Sequence, residues 1–275
     1  MAVQLQDLLW GTLAELRYQP VPRRIRALLN GRLVLETMGA AVVWEPQRVV
    51  PTYALPIADV LADVTPAPPR SEPVTATPVR LGSTMLYDPS APFAFHTTPG
   101  RELTLRVGDQ DLDGVAFAPD DPALADYVIL DFDAFDWLEE DEPLVAHPRD
   151  PFSRIDVRAS GRTVRFEHQG QLVAESSRSL MLFEGALLPP RYYLPREDVA
   201  AELRPSDRWS VCAYKGRATY WSAVVGDEVL PDLVWSYPDP LADMRLIAGR
   251  VSLFNERLDV FLDGVQQPKP VTPWS

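Results

Sequence analysis

The chain has 275 residues, a formal net charge of −13 and a sequence pI near 4.7. Such acidity argues against nucleic acid or an anionic membrane surface as the main partner, and no apolar run approaches membrane-spanning length. A single cysteine, Cys212, and three histidines exclude an intramolecular disulfide and a cysteine-rich zinc site, so no metal and no cofactor is expected.

From the N-terminus, Leu5, Leu8, Leu9, Leu13 and Leu16 recur at helical spacing with Trp10 beside them. This predicts one amphipathic helix over 4–17, ended by Pro20 and Pro22 and packed on a sheet. Asp7 and Glu15 interrupt the stretch and no basic start precedes it, so it does not read as a signal peptide, and the cytoplasm is the expected location. Helical periodicity is scarce thereafter. Short β-branched or alternating runs follow at Arg32–Leu35, Ala41–Trp44, Leu103–Val107, Asp156–Arg158, Thr163–His168, Leu180–Phe183, Ala218–Val225, Leu246–Phe254 and Leu258–Leu262. Gly, Pro, Asp and Asn separate them, as in meandering antiparallel sheets, and the 28 prolines suit edges and turns. The expected fold class is all-β, in antiparallel sheets, with a short N-terminal helix.

The chain also carries one module twice. Gly31–Val60 lies on Gly170–Val199 without a gap at an offset of 139, with eleven of thirty positions identical. Downstream the offset settles at 118, where Val107-Gly108-Asp109 falls on Val225-Gly226-Asp227, so the first copy holds 21 extra residues. Most of them lie in the Pro/Thr/Ala-rich stretch 63–79, expected as an extended surface excursion. The expected organisation is a lead-in over 1–22, a first repeat domain over 23–148, a second over 149–268, and a tail over 269–275. His147–Pro151 forms a stiff divide between the copies.

Residues 192–237 hold eight of the sixteen Tyr and Trp and no Phe. Aromatic rings with a polar handle suit a wall facing both core and ligand, and they equally suit a core whose polar tips are satisfied. The first copy replaces Cys212 by Ala94, Tyr214 by His96, Lys215 by Thr97, Trp221 by Leu103, Trp235 by Phe117 and Tyr237 by Pro119. Chemistry changes along with volume, which reads as two differently specialised sites. Of 26 basic residues only Lys215 and Lys269 are lysine. Lys215 is the candidate catalytic residue: aromatic desolvation would lower its pKa and suit a general base or Schiff-base amine. On that reading Lys215→Met leaves the apo fold nearly unchanged. The bland reading places its amine in water at a turn before Gly216. Cys212 reads as a small buried hydrophobe and His96 as a satisfied structural histidine. Ten acidic residues and no basic one lie between Asp120 and Glu142. Lacking the glycine and terminal glutamate of a calcium loop, they read as a solvated acidic edge.

These residues carry a resemblance. The Gly170–Glu175 strand, Phe183-Glu184, Leu188–Pro195, Glu197–Val199, Cys212–Gly216, Tyr220-Trp221, Trp235–Pro240 and Ile247–Gly249 form a long ordered set. Through it the chain resembles a tandem member of the bacterial family catalogued as domain of unknown function 427, over about residues 23–268. Ala213 stands where the family pattern has proline, and the first copy lacks the Cys-x-Tyr-Lys-Gly element. The resemblance implies a small β domain of the beta-tent kind. Related folds hold zinc between cysteine pairs, which this chain lacks. A nucleotidyltransferase-like label attached to the family finds no paired-carboxylate metal site here.

The leading expectation is a cytoplasmic small-molecule-binding protein, catalytic or not. Its pocket in the second domain is lined by Tyr192, Tyr214, Lys215, Tyr220, Trp221, Trp235 and Tyr237, with polar contacts from Glu184, Arg191 and Asp239. A second site comprises His96, Thr97 and Arg101. The alternative is a non-catalytic protein-interaction or self-association module. The expected partner is an unknown small molecule, with neither nucleic acid nor membrane. The expected state is a monomer that is an internal pseudo-dimer, or a weak homo-oligomer.

Overall fold

A computed structural model describes residues 2–185 and 188–275. They form short antiparallel strands, five 3-10 segments and one α-helix, an all-β architecture with a short N-terminal helix as the sequence predicts. Among the described residues no helix is long and apolar enough to cross a membrane. The chain divides into two compact units. One comprises Met1–Val79 and Met85–Asp150, the other Arg80–Thr84 and Pro151–Ser275.

The first unit holds a seven-stranded sheet in the order Arg17–Pro20, Ala41–Trp44, Thr52–Pro56, Tyr127–Leu130, Gln110–Pro119, Gly100–Val107, Asp63–Pro66. Its four-stranded sheet runs Glu142–Pro143, Asp136–Glu139, Ile25–Leu29, Arg32–Thr37. The second unit holds a seven-stranded sheet in the order Ile155–Ala159, Leu180–Glu184, Arg191–Pro195, Arg250–Leu253, Glu228–Ser236, Gly216–Val225, Glu202–Cys212. Its four-stranded sheet runs Val265–Gln266, Asp259–Leu262, Val164–His168, Gln171–Ser176. Leaving aside the hairpin of Val79–Leu81 with Thr84–Leu86, strands of equal rank occupy equal places in the two units.

Local chemistry explains several residues identical between the two segments. Asn30-Gly31 and Gln169-Gly170 both turn with positive φ, as tight hairpins between twisted strands require. Asp59 accepts a hydrogen bond from the Thr37 hydroxyl at 2.6 Å, and Asp198 one from Ser176. Tyr53 and Tyr192 are both buried rings.

Side chains alternate across a strand, so each seven-stranded sheet has two faces. In the first unit Val42, Trp44, Tyr53, Leu55 and Leu105 meet Ile25, Ala27, Val34 and Leu35 of the smaller sheet. The opposite, outer face carries Ala41, Val43, Ala54, Phe117 and Ile129 under Leu124 and Phe93. In the second unit Tyr192, Leu194 and Val234 belong with Val164, Phe166 and Val173 to the core cluster, and Phe166 and Tyr192 meet edge to face. By register the outer face there carries Leu182, Tyr193, Trp235 and Ser252.

Three expectations need correction. The helix spans Leu5–Gly11 rather than 4–17. It ends at glycine, a poor helix former, and the chain then turns to bury Leu13 before pairing Arg17–Pro20 with Ala41–Trp44. The side chains of Leu9 and Trp10 lie outside the described residues. The 63–79 stretch is not wholly an excursion, because Asp63–Pro66 pairs with the strand Gly100–Val107. The run Leu246–Phe254 is strand only over Arg250–Leu253, after a 3-10 segment Ala242–Ile247. The acidic stretch is a solvated edge as expected, with Asp141 84% exposed, and at that end Arg23 pairs with Glu139 while Arg24 and Arg26 reach Asp141 at 2.5 and 2.9 Å.

A Cβ on Gly100 would collide with the Phe117 ring and stand 2.5 Å from the carbonyl oxygen of Ala118, whereas one on Gly161 would meet nothing within 4 Å. Gly100→Ala is expected to lower stability by about 1–3 kcal/mol through overpacking, and Gly161→Ala by no more than about 0.5 kcal/mol. Equilibrium urea unfolding of the two variants checks this contrast.

Candidate functional site

The segment after Glu202–Cys212 must reverse within three residues to enter Gly216–Val225, and Gly216 makes this possible with a φ of +95°. The reversal turns Lys215 inward. Its side chain is 8% exposed and its Nζ lies 2.5 Å from Oε2 of Glu184, itself 15% exposed at the end of Leu180–Glu184. The backbone carbonyl of Lys215 accepts a hydrogen bond from the Leu241 amide at 3.1 Å, which fixes the turn.

Around this pair lies a closed polar and aromatic cluster on the outer face. Trp235 Nε1 donates to Tyr193 Oη at 3.3 Å, with the rings near perpendicular. Tyr237 is buried, and its charge interactions include Cys212, Tyr193 and Glu184. Cys212 also interacts with Lys215. Ser210 Oγ and Tyr220 Oη are hydrogen-bonded at 2.7 Å. Ser252 lies opposite Trp235 in register, fully buried, and its Oγ has no hydrogen-bond partner among the described residues.

Electrostatics overturn the expected chemistry of Lys215. Burial is the largest single influence and disfavours its charge, but the Glu184 carboxylate, together with Cys212 and Tyr193, outweighs it and holds the amine above its ordinary value. Lys215 is therefore a locked ammonium rather than a neutral base or Schiff-base amine. Nor does it lie in water, as the bland reading had it. Burial pushes the Tyr193 phenol up to about 12 against the opposing influence of Lys215, and burial likewise raises Tyr237 well above the usual phenol value.

The predicted residues divide between the two faces. Register puts Tyr220 beside Trp235 and Trp221 beside Val234, so Trp221 points to the opposite face, where Arg196 covers its ring at 4.7 Å. Tyr192 is on that inner face too. Asp239 is exposed and Tyr214 half-buried. Arg191 is buried on the outer face, in a bidentate pair with Glu256 at 2.6 and 2.8 Å. The cluster thus brings together Glu184, Lys215, Tyr220, Trp235 and Tyr237, with Arg191 beside Trp235. Tyr193, Ser252 and Glu256 were absent from the candidate set. Tyr193 was signalled by its place in the aromatic stretch. Ser252 and Glu256 carry no motif and emerge only from strand register and loop packing.

The first unit offers a close comparison. Glu45, equivalent to Glu184, lies 2.9 Å from His96 Nδ1 and accepts from the Thr97 amide at 2.6 Å. His96 and Thr97 are the residues aligned with Tyr214 and Lys215. One carboxylate position therefore fastens the same loop in both units, by different partners. The His96 ring stacks on Phe117 at 3.6 Å between centroids, and its Nε2 is buried without a partner among the described residues. Arg101 stands apart from this arrangement, 77% exposed and 4.0 Å from Asp120.

Two outcomes follow. Lys215→Met strands a buried carboxylate, so a loss of about 3–5 kcal/mol is expected, while Lys215→Met combined with Glu184→Leu recovers most of it. Chemical denaturation measures both, and a single variant as stable as the parent would remove the ion pair from the account. Lys215 and Tyr193 both hold their protons more tightly when folded, so their contribution is complete below the unfolded values of 10.5 and 10.0. It is lost as pH rises beyond them. Melting temperature is therefore expected to hold up to about pH 10 and fall above it, and phenolate absorbance should show a late fraction, Tyr193 with Tyr237 and Tyr53, that ionises above the exposed tyrosines or only on unfolding.

No curated protein matches the chain. The family model described as Domain of unknown function (DUF427) matches residues 156–264, within the second unit. The chain therefore carries, in its second unit, a domain of the DUF427 family.

Proposed function

We propose that this chain is a tandem duplication whose second domain, over 149–268, is a small-molecule-binding domain of the cytoplasm, and whose first, over 23–148, has lost that site. One observation carries the reading. The same outer face is filled by Ala41, Val43, Ala54, Phe117 and Ile129 in the first unit, and by Tyr193, Trp235, Tyr237, Ser252 and the Lys215–Glu184 pair in the second. A mostly apolar filling, with one hydrogen-bonded carboxylate, Glu45, at its edge, is sufficient for this fold, as the first unit demonstrates. Buried charges and hydroxyls are costly relative to it, and concentrations of perturbed titratable groups mark functional sites.

The rings close over the pair in this conformation, so a ligand enters by opening the hairpin tip at 213–215. The ammonium of Lys215 then donates to the ligand, Glu184 balances its charge, and Trp235 and Tyr237 flank a flat ring. The ligand class is a small planar molecule with hydrogen-bond acceptors. A screen of such compounds by thermal shift and native mass spectrometry tests this. Hits are expected to stabilise the parent and to leave the Lys215→Met, Glu184→Leu double variant unmoved. Equal stabilisation of both proteins, or a screen without hits, overturns the reading.

A second reading has its own support. Trp209 is 57% exposed on the edge strand Glu202–Cys212, with the Arg217 guanidinium 4.8 Å from its ring centroid. Long edge strands with exposed rings favour pairing with another chain, here a second copy across a two-fold axis. Sedimentation is expected to show concentration-dependent dimers abolished by Trp209→Ser. A strictly monomeric parent rules this out.

A further inference from the structure

On the same outer face, apart from the Lys215 pair, the Arg191 guanidinium lies 5.5 Å from the Trp235 ring centroid, 5.9 Å from that of Phe254 and 5.7 Å from that of Trp274. Two walls of this cage belong to the sheet and the loop after it. The third, Trp274, is brought by the C-terminal segment. That segment is wound about Thr272: its amide donates to Ser275 Oγ at 2.9 Å, and its hydroxyl oxygen accepts from the Trp274 amide at 3.2 Å. The same hydroxyl donates to Oε1 of Glu256 at 2.7 Å, on the carboxylate that already holds Arg191 by two bonds. One backbone bond, from the Gly82 amide to the Val271 carbonyl at 2.9 Å, ties the segment down at its start.

The attachment is slight compared with what it covers. Arg191 and Glu256 satisfy each other without the tail, their side chains 7% and 0% exposed. Thr272 is 4% exposed, whereas Val271 and Trp274 remain 41% and 42% exposed. Elements with few buried contacts open at a fraction of the global unfolding cost. The first unit has Thr52 where the second has Arg191, so nothing in the fold itself demands the cage.

We propose that the Arg191–Glu256 cage is a peptide-binding site, occupied in cis by residues 270–275 and exchangeable in trans for the same segment of a second copy. The peptide is recognised by a hydroxyl on Glu256 and, two residues on, by an indole on Arg191 and Phe254. The tethered tail acts as a competitor at roughly millimolar effective concentration. A free peptide therefore binds only where the tail is absent. This inference is independent of the small-molecule reading, since Lys215 and Glu184 take no part in it.

The experiment uses a chain ending at Lys269 and a synthetic peptide of residues 269–275, titrated by nuclear magnetic resonance and by fluorescence anisotropy of a labelled peptide. The shortened chain is expected to bind the peptide and the full chain to bind it far more weakly. A peptide with Thr272→Ala is expected to bind about tenfold to a hundredfold more weakly, the weight of one hydrogen bond to a charged acceptor. Absence of binding to the folded shortened chain at millimolar peptide, or equal binding by the full chain, overturns the proposal. Should the shortened chain fail to fold, amide exchange on the full chain decides. Thr272 and Trp274 amides exchanging well before that of Ser252 support a detachable segment, and exchange of all three together refutes it.

Discussion

A largely buried carboxylate sits at the same point of both units, at the end of the strand preceding the loop to Thr52–Pro56 in one and to Arg191–Pro195 in the other. Glu45 and Glu184 each need a partner, because an ion left alone away from water is too costly to keep. The chain supplies that partner from the segment entering the next long strand: His96 with the Thr97 amide in one case, Lys215 in the other. This one requirement ties together pieces of chain some fifty and thirty residues apart. It closes the outer face of each large sheet and fixes where the rings of Phe117 and Trp235 find cover. The two solutions differ in kind. Glu45 is met by an imidazole and a backbone amide, Glu184 by an ammonium.

Much of this was legible in the sequence, for physical reasons. The glycines at 31 and 170 announce hairpin turns because only small or amide side chains tolerate the left-handed backbone. The runs Ala41–Trp44 and Leu180–Phe183 announce strands by unbroken β-branched and aliphatic content. Glu45 and Glu184 are among the identical positions of the two copies, and the aromatic stretch supplies Tyr193, Trp235 and Tyr237 to the outer face. Two features were not legible. Neighbouring residues on a strand point to opposite faces, so Tyr192 and Tyr193, adjacent in sequence, belong to different environments, as do Tyr220 and Trp221. Clustering along the chain had merged them. The fate of Lys215 was likewise hidden, because its partner lies in a distant strand and the sign of its shift depends on that partner. Burial among aromatics alone would have pushed it the other way.

The chain's near-total reliance on arginine also acquires a structural sense at its two buried cations. Glu256 is met by a planar fork that engages both carboxylate oxygens, and flat rings line the fork's faces. Only arginine has that geometry. Glu184 presents one oxygen to the compact ammonium of Lys215 at the mouth of a tight turn. Lysine persists at the position where its shape matters, while the other, Lys269, reaches an exposed aspartate, Asp259, at 3.2 Å.

The rows Ala54–Ile129–Phe117 and Tyr193–Ser252–Trp235 run across corresponding strands of the two sheets. The first sets isoleucine on the central strand between alanine and phenylalanine, and the second sets large rings on both flanks, so that the indole and phenol meet above a small hydroxyl. Each row fills its space, but the two are not interchangeable strand by strand. A central strand moved from the first unit to the second would drive isoleucine under an already closed arch. The reverse exchange would leave serine between alanine and phenylalanine, with a hole above it. Recombination between two stretches of such similar sequence would therefore yield mispacked hybrids. That penalty sets the two outer-face rows apart, each suited to its own sheet.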